Sequence, residues 1–285
     1  MSNQPSFSFE LFPPRTPEAA AKLPGVICEL AKVRPNYFSI THGAGGSDQD
    51  GTYDTLMAVV QHCGVEAAPH LTCVGSTRAK VSALLDRYRQ AGVKRIVALR
   101  GDLPATAMSS SAPGEFHFAN ELVSFIREKH GNAFLIEVAA YPEVHPQAVS
   151  CDVDFDNFRR KVDAGADGAI TQLFYNVDAY FDFLERCSRA RIAIPITPGI
   201  MPITSFANIV RFCTGCGADL PRWVRLRLED LQHDRPALLD FGLSVVARLC
   251  ENLLRGGAPG LHFYTINQAE PSLRLWERLG LSVPA

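Results

Sequence analysis

The chain has 285 residues, 47% hydrophobic and 20% charged, an ordinary globular composition with ample material for a large core. A formal net charge of −2 argues against nucleic acid or an anionic membrane surface as the principal partner. No apolar run approaches the roughly 18–20 residues that span a bilayer. The opening Met1-Ser-Asn-Gln-Pro5 carries no signal-peptide pattern, so a cytoplasmic location is expected.

Taken in order, short β-rich runs alternate with helix-period runs about eight times. The strand candidates are Phe7–Phe12, Tyr37–Gly43, Ala67–Cys73, Arg95–Gly101, Phe134–Tyr141, Gly168–Phe174, Ile194–Ile200 and Gly260–Asn267. Most are nearly continuous apolar runs, as parallel strands covered on both faces require. Thr16-Pro17 starts the first helix well, and Pro24 is expected to break or kink it. Thr77 reads as the N-cap of a helix whose Val81, Leu84, Leu85 and Tyr88 form one stripe, ended by Gly92. Gly242, Val245, Val246, Leu249 and Leu253 form another stripe, closed by Gly256-Gly257.

This rhythm predicts an α/β fold, a single-domain (β/α)8 TIM barrel over residues 1–285. The rival, an open doubly wound sheet, usually carries G-x-G-x-x-G after an early strand; His42-Gly-Ala-Gly-Gly46 lacks that spacing. The segment Pro104–Gly114, rich in Ser, Ala and Pro, is expected to be the most mobile. Eight cysteines are scattered singly apart from Cys213-Thr-Gly-Cys216. No second pair sits at zinc-ribbon spacing, so free thiols are expected.

In a barrel the site lies at the C-terminal ends of the strands. Successive strands there offer Glu10, Thr41 with His42, His70, Arg100-Gly-Asp102, Tyr141 with His145, and Gln172. Glu10 is the most telling. An isolated carboxylate among Ser8-Phe-Glu-Leu-Phe-Pro-Pro14 is costly to desolvate, which raises its pKa and suits a general acid. Phe212 falls about 100° off the stripe of Phe206, Ile209, Val210 and Cys213, which makes it a candidate stacking platform, with extra core packing as the alternative. Read alone, Arg160 and Lys161 form a solvated helix face. His42, His70, His145 and Asp102 could instead ligate a metal in a hydrolase, although no H-x-H follows the first strand.

Several segments in one order carry a resemblance. They are Ser8-Phe-Glu-Leu-Phe-Pro-Pro-Arg15, His70-Leu-Thr-Cys73, Ala98-Leu-Arg-Gly-Asp102, Ala139-Ala-Tyr-Pro-Glu-Val-His-Pro146, Lys161-Val-Asp-Ala-Gly-Ala-Asp167, Thr171-Gln172 and His262-Phe-Tyr-Thr265. From about Ser6 to Leu281 the chain resembles methylenetetrahydrofolate reductase, in its short bacterial form with the catalytic domain only. The resemblance implies FAD bound at the strand C-termini, reduced by NADH or NADPH. Methylenetetrahydrofolate then takes the hydride in a ping-pong sequence, giving 5-methyltetrahydrofolate for methionine biosynthesis.

The resemblance also implies roles. Glu10 would protonate the aryl nitrogen as the folate ring opens, directly or through water. Asp102 would tune the flavin and stabilise a cationic iminium. FAD contacts carry over to His42, Ala44, His70, Arg100, Gly101, Asp102, Ala119, Tyr141, His145, Asp154, Asn157, Arg160 and Lys161. Thr41, Gln172, Asn208, Phe212 and Gln268 fall at positions that contact nicotinamide or folate. No metal is implied, and bacterial relatives suggest a homo-oligomer. The chain departs from the pattern at His42 and Phe118, where relatives carry tyrosine, and at Gln268, where a relative carries arginine. The short length implies no S-adenosylmethionine inhibition. A flavin-binding module without turnover is a further reading; Glu10, Asp102 and Gln172 together weigh against it.

Overall fold

The computed structural model describes residues 5–42, 49–101 and 114–283. The readings made for Ala44, for Asp102 and for the Pro104–Gly114 segment short of its last residue lie outside these. The strands are β1 (Ser6–Leu11), β2 (Tyr37–Ile40), β3 (Glu66–Thr72), β4 (Arg95–Leu99), β5 (Leu135–Ala140), β6 (Gly168–Thr171), β7 (Ile196–Thr197), β8 (Gly199–Ile200) and β9 (Gly260–Tyr264). Between and after them run α1 (Pro17–Ala31), α2 (Gln49–Cys63), α3 (Arg78–Gln90), α4 (Ala119–His130), α5 (Cys151–Asp163), α6 (Val177–Arg189), α7 (Phe206–Cys216), α8 (Arg222–Asp230), α9 (Arg235–Arg255) and α10 (Ala269–Arg278).

All strand pairings are parallel, in the order β7-β6-β5-β4-β3-β2-β1-β9-β8. The predicted strand Ile194–Ile200 is present in two pieces. Pro198 lacks an N–H and interrupts the ladder. β7 pairs with β6 while β8 pairs with β9, so one broken stave joins both ends of the sheet. Nine segments thus make eight staves of the expected barrel.

Local chemistry sets the helices. Thr77 caps α3 by accepting from Lys80 N at 3.3 Å, and Val81, Leu84, Leu85 and Tyr88 are its buried face, as the stripe predicts. On α9, Gly242, Val246, Leu249 and Leu253 are buried and Val245 is half-buried. Pro24 does not end α1, contrary to expectation. Its missing donor costs the helix one hydrogen bond, but Leu23, Ile27 and Leu30 on either side are buried, and that packing holds both turns. Among the described residues, no helix is long and apolar enough to cross a membrane.

Strand alternation sorts the side chains into two layers. Phe7, Phe9, Phe38 and Phe263 pack outward; Phe7 and Phe9 meet Trp276 of α10, with ring centroids 4.8 and 6.4 Å apart. The inner side carries polar residues from base to rim on the β1, β2 and β9 side, and apolar ones such as Val97 and Ile170 on the β4 to β6 side. At the base Arg95 contacts Glu137 at 2.5 Å and Glu66 at 3.2 Å. Higher up come Tyr37, Ser8, Ser39 and His262, and at the rim Glu10 and His70.

Candidate active site

A cavity of about 1000 Å³ opens at the C-terminal ends of the strands. Glu10 lies at its floor, with a side chain 20% exposed. Its sequence neighbours Phe9 and Leu11 are fully buried on the outer side of the strand, so the apolar environment read from sequence is not what the carboxylate meets. Instead its Oε2 lies 3.4 Å from His70 Nε2 and 3.6 Å from His262 Nε2. Thr265 fixes the backbone beneath by donating to Glu10 O at 2.6 Å.

His70 is buried, and that burial pushes its imidazole down to about 4, against the opposing pull of Glu10. It is therefore neutral at physiological pH. His262 is fully buried, with Ser8 Oγ 2.7 Å from Nδ1 and Ser39 Oγ 3.3 Å from Nε2. Sequence reasoning assigned His262 no role. It stood in the segment His262-Phe-Tyr-Thr265 that carries the resemblance, but what places it beside Glu10 is the pairing of its strand with β1.

Tyr264 also escaped the sequence reading. Its hydroxyl donates to Thr171 O at 2.5 Å, and burial pushes its pKa well above the ordinary phenol value. Gly199 makes this contact possible, because a Cβ there would overlap Thr171 O and the Tyr264 hydroxyl.

On the wall, Thr41, His42, Arg100, Gly101, Ala119, Tyr141, His145, Asp154, Asn157, Lys161 and Gln172 all line the cavity. Arg100 Nη2 donates to Gln147 Oε1 at 2.5 Å, a partner the sequence did not suggest. His145 N donates to Asp154 Oδ2 at 3.0 Å, and its ring stands edge-on to Tyr141 at 4.6 Å. Gln172 Oε1 accepts from Leu173 N at 2.8 Å, which pins its amide.

Lys161 overturns the solvated-face reading. Its Nζ donates to Ala139 O at 2.5 Å, and burial pulls its pKa down to about 8, opposed by Asp154. Adjacent helix positions differ by about 100°, so Arg160 points elsewhere. It is exposed, bonds Asn157 Oδ1 at 3.3 Å and is not among the cavity-lining residues.

Phe212 lines the main cavity and also a smaller one of about 40 Å³ beside it, which Asn208 and Gln268 help to form. Ile209 and Cys213 are buried as the stripe predicts, while Phe206 and Val210 are only half-buried. Cys213 and Cys216 are free thiols, and burial raises both, Cys213 to about 12. Among the described residues no three His, Cys, Asp or Glu side chains are grouped as metal ligands. His70, one member of the hydrolase set, lies 3.4 Å from Glu10, and its buried Nε2 makes no hydrogen bond.

Fold and site together define a class: a (β/α)8-barrel protein with a polar floor and an acidic residue at the strand C-termini. Residues 1–280 match the family Methylenetetrahydrofolate reductase. The chain is similar to 5,10-methylenetetrahydrofolate reductase of Salmonella typhimurium, 39% identical over 99% of this chain and 93% of that one. It is 38% identical to that of Escherichia coli over the same shares. It belongs to the methylenetetrahydrofolate reductase family. Among solved structures, a Clostridium thermocellum protein described as binding two copies of 5-methyl-5,6,7,8-tetrahydrofolic acid shares the fold. Its TM-score is 0.65 at 15% identity, covering 98% of this chain and 94% of that one.

Proposed function

We propose that the protein reduces 5,10-methylenetetrahydrofolate to 5-methyltetrahydrofolate with NADH or NADPH, through bound FAD. The observation that carries this reading is Glu10, set at the floor of the large cavity between two imidazoles. The wall suits a flavin dinucleotide. Tyr141 offers a ring face, and Lys161 is a buried cation that an anionic diphosphate would compensate. His42, Ala44, His70, Arg100, Gly101, Asp102, Ala119, His145, Asp154 and Asn157 complete the proposed binding set. When bound, the flavin supplies the hydride.

The chain's own residues then have distinct tasks. Glu10 protonates the aryl nitrogen of the five-membered folate ring, so that the ring opens to an iminium. Neutral His70 beside it leaves the proton with the acid. Asp102 contributes negative charge that favours the cationic iminium. Gln172 both donates and accepts, which suits a pterin edge and, in alternation, a nicotinamide; Thr41 faces the same cavity. Phe212 is a stacking surface for the folate aryl ring, with Asn208 and Gln268 toward its tail.

The test is anaerobic stopped flow on the purified flavin-loaded protein. NADH or NADPH should bleach the flavin absorbance and methylenetetrahydrofolate should restore it. In Glu10→Gln the restoring step should slow by about 10²-fold or more, the usual scale of general-acid catalysis. Protein that binds no flavin, or a variant that restores absorbance at the normal rate, would refute the reading.

A further inference from the structure

Behind Glu10 the barrel interior holds a buried chain of hydrogen-bonding groups that the proposed reaction does not itself use. The parallel register builds it. Ser8 is the cross-strand partner of Tyr37 on one side and of His262 on the other. Ser39 and Tyr264 flank Glu10 in the same way, one layer higher. Ser8 Oγ lies 2.7 Å from His262 Nδ1, and the Tyr37 side chain is hydrogen-bonded to Ser8.

The two sides of the His262 ring differ chemically. Nε2 faces Ser39 Oγ at 3.3 Å and Glu10 Oε2 at 3.6 Å. A carboxylate oxygen accepts only, and its lone pair would oppose one on Nε2, so the tautomer that suits Glu10 carries its proton on Nε2, with Ser39 Oγ as a second acceptor. Nδ1 faces a hydroxyl, which can turn its hydrogen toward the ring. Ser8 therefore donates to Nδ1, and its remaining acceptor capacity meets the Tyr37 hydroxyl. Every donor in the chain points toward Glu10.

Other charges reaching the ring are few. Glu10 comes from β1, His70 from β3 and Glu137 from β5, while Tyr264 stands edge-on at 5.4 Å. Tyr37 lies near-parallel to His262 at 6.1 Å, with the Arg95 guanidinium 4.5 Å from the Tyr37 ring centroid. Arg95 is in turn engaged by Glu137 and Glu66.

We infer that His262 is a positioning residue for Glu10: held by Tyr37 and Ser8 in the Nε2–H tautomer, it occupies Glu10 Oε2 and leaves the transferable proton on Oε1, toward the cavity. Both imidazole Nε2 atoms lie nearest Oε2, at 3.4 Å for His70 and 3.6 Å for His262, and His70 makes no hydrogen bond there. The distance of 3.6 Å is long for a hydrogen bond, and such contacts tighten when the site is filled. The inference rests on the proposed role of Glu10 as acid.

Nitrogen NMR of full-length protein labelled with [15N]histidine tests it, with His262→Gln used to assign the signals. Wild type should show Nε2 protonated and Nδ1 bare near neutral pH. Ser8→Ala, which removes the donor to Nδ1, should give a mixture of tautomers. In the flavin-loaded protein the same variant should lower the rate of the folate step relative to the nicotinamide step about tenfold. Tyr37→Phe, which keeps the ring, should move both readouts the same way by less. An Nδ1–H tautomer in wild type, or unchanged tautomer and rate ratio in Ser8→Ala, would overturn the inference. If the protein fails to reduce folate, the functional reading falls, while the tautomer measurement, which needs neither flavin nor folate, still decides the placement of His262.

Discussion

Replacing His70 by glutamine should change how the protein responds to acid more than how stable it is at neutrality. In the folded protein burial holds this imidazole near 4, against 6.5 for the free group. Between those values the unfolded chain binds the proton and the folded one does not, so stability falls as pH falls through this window. Working the two values through proton linkage, His70 alone removes about 2 kcal/mol between about pH 7 and pH 5, approaching about 3 kcal/mol at lower pH. Urea unfolding of wild type and His70→Gln at the two pH values measures the difference, and groups common to both proteins cancel in it. Wild type should lose about 2 kcal/mol more than the variant on going to the lower pH. Parallel losses would mean that His70 titrates normally in the fold, and the argument that keeps it neutral beside Glu10 would fail.

Other outcomes follow from the same geometry. Lys161 loses its charge as pH rises through about 8, so flavin affinity, read by fluorescence titration, should weaken about tenfold between about pH 7 and pH 9.5. In Lys161→Met it should be weaker at the lower pH and flat across the range. Gly199→Ala should destabilise the protein by about 2 kcal/mol or more, because the added methyl overlaps the Tyr264–Thr171 contact; urea unfolding checks this. Gln268 is exposed at the start of α10 beside the smaller cavity. Gln268→Arg should lower KM for a glutamate-bearing folate about fivefold, a gain that added salt erodes.

The barrel was legible because parallel strands buried on both faces and amphipathic helices have different periods, and the chain alternates between them cleanly. Two prolines show where local rules fall short. Pro24 reads as a break, yet the core contacts of Leu23 and Ile27 carry the helix across it. Pro198 sits inside a predicted strand and splits it, so that each half pairs with a different neighbouring strand. The site was legible where one rule sufficed: strand ends in a barrel face one cavity, and Glu10, His70 and Gln172 meet there. Lys161 required knowing which helix face turns inward, a one-position distinction from Arg160. His262 and Tyr37 required the register between residues at opposite ends of the chain. Nothing near either residue in sequence encodes that register.

The contact between Ser8 and His262 spans 254 positions, and this bears on how the protein is made. Ribosomal synthesis releases β1 well before β9, so the acid's surroundings cannot form until the residues of β9 have emerged. Until β9 docks, an emerging chain exposes the unpaired edge of β1 together with a carboxylate lacking one of its two imidazole neighbours. Closing so distant a pair carries a large loop entropy, which makes it a late and slow event. A fragment ending before Gly260 would therefore carry Glu10 without the setting that gives it a task.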